Sequence, residues 1–273
     1  MRRSLIILFS LTLVFCSISF VGANVGAVSV SAKSYILINA DTGEVLSASN
    51  AHTRLPMAST TKIMTALLLA ELGTPEKTVT VTDEMVRVEG SSMGLKAGDT
   101  VTHYGLLVGM LLPSGNDAAM MLADYIGGGS VDKFVDMMNE KAKELGLKNT
   151  HFKNPDGLHD PDHYTTMEDL AVLGRLVLNT PVIVKYTALP GDEIVLSEER
   201  VLKWKNTNLL VNPESEFYCS AAVGLKTGQH SAAGRCLLSA FEIDGRVLIV
   251  GVFGCTEDPA RFEDTLQLLQ MCM

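Results

Sequence analysis

The chain has 273 residues, a formal net charge of −9 at pH 7, and 47% hydrophobic residues. That is enough for one sizeable domain or two small ones, with ample apolar material for a core. The acidic balance comes without any basic stripe, which argues against nucleic acid or an anionic membrane surface as partner.

The first residues read as a leader rather than as part of a domain. Arg2-Arg3 precedes an uncharged, mostly apolar run from Ser4 to Val21, and the next charge is Lys33. Small residues at Val21-Gly22-Ala23 and Val25-Gly26-Ala27 offer two cleavage sites, so residues 1–27 fit a secretory signal peptide cut near 23 or 27. A retained membrane anchor is the alternative, because the run is nearly long enough to span. Cys16 as a lipid-attachment site is disfavoured by Phe15 before it, where a small residue is needed. Export leaves Cys219, Cys236, Cys255 and Cys272 in an oxidising compartment. No C-x-x-C pair occurs, so a zinc ribbon is not indicated, and buried free thiols are expected.

Residues 28–273 form the body. Tyr35 to Asn39 and Glu44 to Leu46, joined by the turn Ala40-Asp41-Thr42-Gly43, predict a β-hairpin. A helix follows, running through Ile63 to Leu72 and closed by Gly73-Thr74-Pro75. Thr78 to Thr82 alternates as a strand. Helical patterning then dominates from Thr102 to about Leu178. One helix carries Leu106, Leu107, Met110 and Leu111 and stops at Pro113. A second runs from Asp117 to Ile126. A third is capped by Ser130, with Phe134, Met138 and Ala142 inward, and a fourth is capped by Thr166. Glu193–Leu196, Ala222–Leu225, Cys236–Phe241 and Val247–Val252 read as strands, with a hairpin turn at Asp244-Gly245. A last helix begins at Asp258-Pro259 with Phe262, Leu266 and Leu269 inward. These pieces assemble as an α/β fold of the α+β type. A mainly antiparallel sheet is flanked by helices, with an inserted all-helical lobe over about residues 83–180.

Three short constellations stand out. Ser59-x-x-Lys62 opens a helix so apolar that it belongs inside a core. Ser114-Gly115-Asn116 lies on the connector between two helices, and Lys226-Thr227-Gly228 ends a predicted strand. Each alone is weak; an isolated S-x-x-K is usually a cap and a solvated lysine. A second one, Ser130-x-x-Lys133, tests the point. It opens an amphipathic helix after three glycines with no buried run behind it, so its serine is a cap. In order and in fitting context, the three constellations match the S-x-x-K, S-x-N, K-T-G set of serine penicillin-binding proteins and β-lactamases. A serine hydroxyl needs a neighbouring base, and lysine serves only if burial and nearby positive charge depress its pKa. Lys226 would supply that second cation.

The sequence therefore resembles the D-alanyl-D-alanine carboxypeptidases of the low-molecular-weight penicillin-binding protein family, peptidase family S11. The likeness extends to Ala40–Leu46, Leu111–Ala119, Asn154–Leu158 and Gly224–Gly228, and spans the whole body. It implies a penicillin-binding/β-lactamase-like fold. It also implies Ser59 as acylated nucleophile, Lys62 as proton acceptor and Ser114 as the third catalytic residue. Asn116, Lys226, Thr227 and Gly228 would bind substrate, and the backbone N–H groups of Ser59 and Gln229 would form the oxyanion hole. The implied reaction removes the terminal D-alanine from peptidoglycan stem peptides through an acyl-enzyme, outside the cytoplasmic membrane, with β-lactams as acylating inhibitors. It needs no metal or organic cofactor, and involves the membrane only if the leader is retained. Many members carry a further β-rich domain and an anchor helix. This sequence ends at Met273, one helix past its last strand, so neither is expected.

A transpeptidase or endopeptidase using the same site is the nearest alternative, since the acceptor is not legible in the sequence, and two other readings are weaker. A class A β-lactamase needs a glutamate for deacylation, and Glu168 lies in the right region but without the E-x-x-L-N pattern. A non-catalytic penicillin- or wall-binding module is at odds with the intact Ser59, Lys62, Ser114 and Lys226 set. His159 and His163, four apart, are separated by Pro161 and lack an H-E-x-x-H frame, so both are expected to be polar loop residues rather than metal ligands.

Overall fold

A computed structural model describes residues 19–20, 29–197 and 200–272. The signal-peptide reading rests mostly on residues outside these. The centre is a six-stranded sheet in the order β1-β3-β2-β10-β9-β8. Its strands are β1 (Ser19–Phe20), β2 (Ser34–Asn39), β3 (Glu44–Ser49), β8 (Ala222–His230), β9 (Gly234–Ile243) and β10 (Arg246–Cys255). All pairings are antiparallel except β1 with β3. Asp244 and Gly245 both take positive φ, +51° and +73°, as the two-residue turn between β9 and β10 requires.

The sheet is covered on both sides, and the strand period sorts the side chains. Leu37, Leu237, Phe241, Leu248, Val250 and Val252 meet Phe262, Leu268 and Leu269 of α7 (Ala260–Gln270). Ile36, Ile38, Leu238, Ala240 and Ile249 face the opposite way, into the larger core. That core contains α1 (Lys62–Leu72) and α5 (Met167–Val177), with α5 lying directly on the sheet. Each fully buried Leu, Ile or Phe here contributes roughly 1.5–3 kcal/mol relative to exposure. The segment leading into β2 is tied to α7, since the Asp264 carboxylate accepts from the Ser31 and Ala32 N–H groups.

The remaining helices sit beyond α1: α2 (His103–Leu111), α3 (Asn116–Ile126) and α4 (Val131–Glu144). Helix α1 is apolar around its circumference, with Ile63, Met64, Ala66, Leu67, Leu68 and Leu69 buried as expected. Thr102, Ser130 and Thr166 cap α2, α4 and α5 through their hydroxyls. Lys133 is exposed, so the second S-x-x-K is a helix cap and nothing more.

Several elements depart from expectation. Ser59 is not on the helix itself: Ala58–Thr61 form a 3-10 turn, and α1 starts at Lys62. Gly73 ends α1 with φ −79°, so it closes the helix in extended conformation rather than as a left-handed cap. Lys226-Thr227-Gly228 lies within β8, which continues to His230, not at a strand end. The predicted strand at Glu193–Leu196 is part of β6 (Gly191–Ser197), which leaves the main sheet and pairs only with β7 (Arg200–Lys205). Strand β7 was not anticipated, although Leu202 and Trp204 alternate with exposed Val201, Lys203 and Lys205. Helix α6 (Pro181–Thr187) is a further addition, as is the pairing of β4 (Thr78–Thr80) with β5 (Thr100–Thr102).

Candidate active site

The three constellations converge on one cleft. The Ser59 turn forms its floor, the α2–α3 connector one wall, and the free edge of β8 the other. The cavity is about 410 Å³ and is lined by Ser59, Ser91, Ser114, Thr207, Thr227, Gly228, Gln229 and Arg261, among others. A shallower depression on the β6–β7 hairpin, bounded by Asp192, Glu193, Lys203 and Lys205, holds none of these residues.

Lys62 is fully buried, and its Nζ donates three hydrogen bonds. They run to Ser59 Oγ at 2.9 Å, Asn116 Oδ1 at 2.6 Å and the Asp156 carbonyl at 2.6 Å. Burial lowers its pKa to about 8, while the charges of Asp156 and Asp117 pull the other way. Of the two causes expected from the sequence, burial is thus the principal one, and the charge of Lys226 is not among those that move it. Asn116 opens α3, and its Nδ2 donates to the Glu89 carbonyl at 2.6 Å, which fixes which amide atom faces Lys62. The Asp117 carboxylate accepts from Ser92 Oγ and the Met93 N–H, holding the 89–93 segment against the same helix start.

Ser114 has φ +66°, an unusual conformation for a non-glycine residue that costs on the order of 1–3 kcal/mol. Its Oγ is buried and has no hydrogen-bond partner among the described residues. Strain and an unspent hydroxyl together mark a residue held for a ligand rather than for the fold.

On the other wall, Lys226 is 1% exposed, and its Nζ donates to the Thr227 carbonyl at 3.1 Å. No carboxylate lies within ion-pair distance of it among the described residues. Its pKa falls well below the usual lysine range through burial, then through the charges of Lys62 and Arg261. Thr227 Oγ1 and Thr207 Oγ1 share a hydrogen bond of 2.7 Å. Gly228 is glycine for lack of room: a Cβ there would stand 2.8 Å from Ser59 N. Gln229 follows on the exposed edge. Of the residues singled out as site candidates, Ser59, Ser114, Thr227, Gly228 and Gln229 line this cleft, while Lys62, Asn116 and Lys226 are buried beside them.

Three contributors had not been singled out. The Asp156 carbonyl accepts from Lys62, and the N-P-D-G turn that carries it belonged to the family likeness without any role assigned to it. Arg261, on α7, reaches β8 with Nη1 3.5 Å from the Gly228 carbonyl and 3.3 Å from Gln229 Oε1, while Nη2 pairs with Asp258. His163 is 3% exposed and bonded under the Ser59 turn, so it is a buried residue rather than a polar loop residue. Cys219, Cys236, Cys255 and Cys272 are free thiols, as expected. Cys236 and Cys255 are buried with pKa values pushed up to about 12, and Cys219 and Cys272 are half-buried.

A mainly antiparallel sheet thus carries helices on both faces and a lysine-paired serine beside its β8 edge. The sequence profile of the peptidase S11 family, D-alanyl-D-alanine carboxypeptidase, matches residues 22–257, and the chain belongs to that family. It is 36% identical over 253 residues to the D-alanyl-D-alanine carboxypeptidase DacF of Bacillus subtilis, covering 91% of this chain and 64% of that one. It is 35% identical to DacD of Escherichia coli, covering 99% of this chain and 71% of the relative. Among solved structures, the DD-transpeptidase of Streptomyces K15 superposes with a TM-score of 0.82 at 33% identity, covering 89% of this chain and 97% of that one. The chain thus spans under two thirds of the Bacillus relative and nearly all of the Streptomyces one.

Proposed function

We propose that this protein is a penicillin-sensitive, serine-type D-Ala-D-Ala carboxypeptidase acting on peptidoglycan stem peptides outside the cytoplasmic membrane. One observation carries the reading: a buried lysine, with its pKa near 8, 2.9 Å from a serine hydroxyl at the edge of a sheet. The family membership and the relatives' names support the substrate class. The leader, with its basic start and apolar run over residues 1–27, supports export, with residues 28–273 as the catalytic body.

In this reading the substrate lies along the free edge of β8, and its terminal carboxylate is drawn to Lys226, with Arg261 as a second cation. Ser59 Oγ attacks the penultimate D-alanine carbonyl carbon while its proton passes to neutral Lys62 Nζ. The oxyanion is met by the N–H groups of Ser59 and Gln229. The C–N bond then breaks, and the leaving amine takes a proton by way of the Ser114 hydroxyl, which has no hydrogen-bond partner among the described residues. Asn116 holds Lys62 in place, and water hydrolyses the ester.

A β-lactamase is disfavoured. Glu168 pairs with His52 at 2.7 Å, and among the described residues no glutamate lines the cleft. Mass spectrometry after benzylpenicillin should show one adduct, lost in Ser59→Ala and kept in Ser130→Ala, and a stem pentapeptide should release D-alanine. An adduct that persists in Ser59→Ala would overturn the assignment. An adduct without D-alanine release would point instead to a transpeptidase, an endopeptidase or a binding module.

A further inference from the structure

The turn carrying Ser59 is not one the chain adopts without help. Ala58 has φ +47°, and an L-residue in that region costs about 1–2 kcal/mol. Its carbonyl is crowded from outside as well: a Cβ on Gly157 would stand 2.0 Å from Ala58 O. Two hydroxyls tie the turn from within. Thr60 Oγ1 donates to the Met57 carbonyl at 2.6 Å, and Thr61 Oγ1 donates to the Ala58 carbonyl at 2.7 Å.

The proton count then fixes the state of His163. The Thr61 hydroxyl has one hydrogen and gives it to Ala58 O, so its 2.7 Å contact with His163 Nε2 must be donated by the ring. At the other end, the backbone N–H of Lys153 donates to His163 Nδ1 at 3.0 Å, and that N–H can only donate. Both ends require the neutral ring with hydrogen on Nε2. Burial, which pushes the imidazole pKa down to about 3, favours the same uncharged form.

We propose that His163, in this Nε2–H form, is a positioning residue that aims the backbone N–H of Ser59 into the cleft. The link is the planarity of the Ala58–Ser59 peptide: its C=O and N–H point in opposite directions and turn together. His163 and Thr61 hold the C=O on the side away from β8. The N–H is thereby held on the side of Gly228, where a Cβ would lie 2.8 Å from Ser59 N. A donor aimed at the developing oxyanion must be in place before reaction, and small rotations of it weaken the transition state more than substrate binding. The inference rests on the reading of Ser59 as nucleophile.

The test resolves benzylpenicillin acylation into a pre-covalent binding constant and an acylation rate constant. It compares wild type, Thr61→Val, His163→Leu, the double variant and His163→Gln. Losing the strut should slow acylation on the order of tenfold or more with binding within twofold. The double variant should be no slower than the slower single, because both break one chain of bonds. His163→Gln should recover most of the rate, since its amide can accept from Lys153 and donate to Thr61. Thr61→Val is isosteric and serves if His163→Leu does not fold. Nitrogen NMR of the wild type should show His163 with its hydrogen on Nε2. Acylation within twofold of wild type in both single variants, or hydrogen on Nδ1, overturns the proposal. A wild type that is not acylated at Ser59 defeats the functional reading instead, and the NMR result still decides the strut.

Discussion

The charge of Asp156 offers a direct way to move the base. With Lys62 near pKa 8, about a tenth of the molecules hold it neutral at pH 7, against roughly three in ten thousand for an ordinary lysine. Asp156 opposes this, since its carboxylate stabilises the ammonium. Its side chain otherwise only accepts from the Leu158 N–H at 3.0 Å, a bond that asparagine retains, and its backbone carbonyl still receives Lys62. Asp156→Asn therefore removes a charge and leaves the frame. The pKa of Lys62 should fall further, and the acid limb of the acylation rate should shift to lower pH. Because the neutral fraction starts near a tenth, the gain at pH 7 has a ceiling of about tenfold, or about 1.4 kcal/mol. Above pH 9 the two proteins should converge. Stopped-flow acylation by a fluorescent penicillin between pH 6 and pH 10 reads both limbs. A limb that stays in place, or moves to higher pH, would refute Lys62 as the base.

Asn116→Asp should act in the opposite sense. A carboxylate 2.6 Å from Nζ stabilises the ammonium, so the limb moves to higher pH and acylation at pH 7 falls at least tenfold, recovering in alkali in the same assay. Gly228→Ala should push β8 off the Ser59 turn and slow acylation at least tenfold, with only a small loss of melting temperature by calorimetry. Thiol titration of the native protein should leave Cys236 and Cys255 unreactive, because burial holds both protonated, and urea should expose them.

Much of this candidate site was visible in the sequence, because the side chains proposed as nucleophile, base and carboxylate-seeking lysine stand in short motifs of fixed internal spacing. The hairpins were visible for a similar reason: Asp244-Gly245 marks a turn that few other pairs can make. What escaped notice has physical causes. The carbonyl of Asp156 carries no residue signature, since every residue has a carbonyl. Arg261 follows Asp258 at ordinary helical spacing and reads as a surface pair until β8 is seen beside it. His163 was weighed only as a metal ligand with His159, whereas its partner is a threonine about a hundred residues earlier. The helix start at Ser59 shifted because Ala58 takes positive φ, which nothing about an alanine announces. Strand β6 left the main sheet because it is claimed by β7.

The cleft draws on the Ser59 turn, the α2–α3 connector and the late strand β8, the last two lying on the order of a hundred residues apart. Closing loops of that size costs entropy before any contact repays it, so such contacts form late in folding. Helices such as α3 and α4, whose bonds are local, can form well before Ser59 meets Gly228. On the proposed function, covalent capture of penicillin would therefore report completion of the whole fold. In refolding from urea, labelling should lag behind the recovery of helical circular dichroism, and the interval between the two measures the docking of β8.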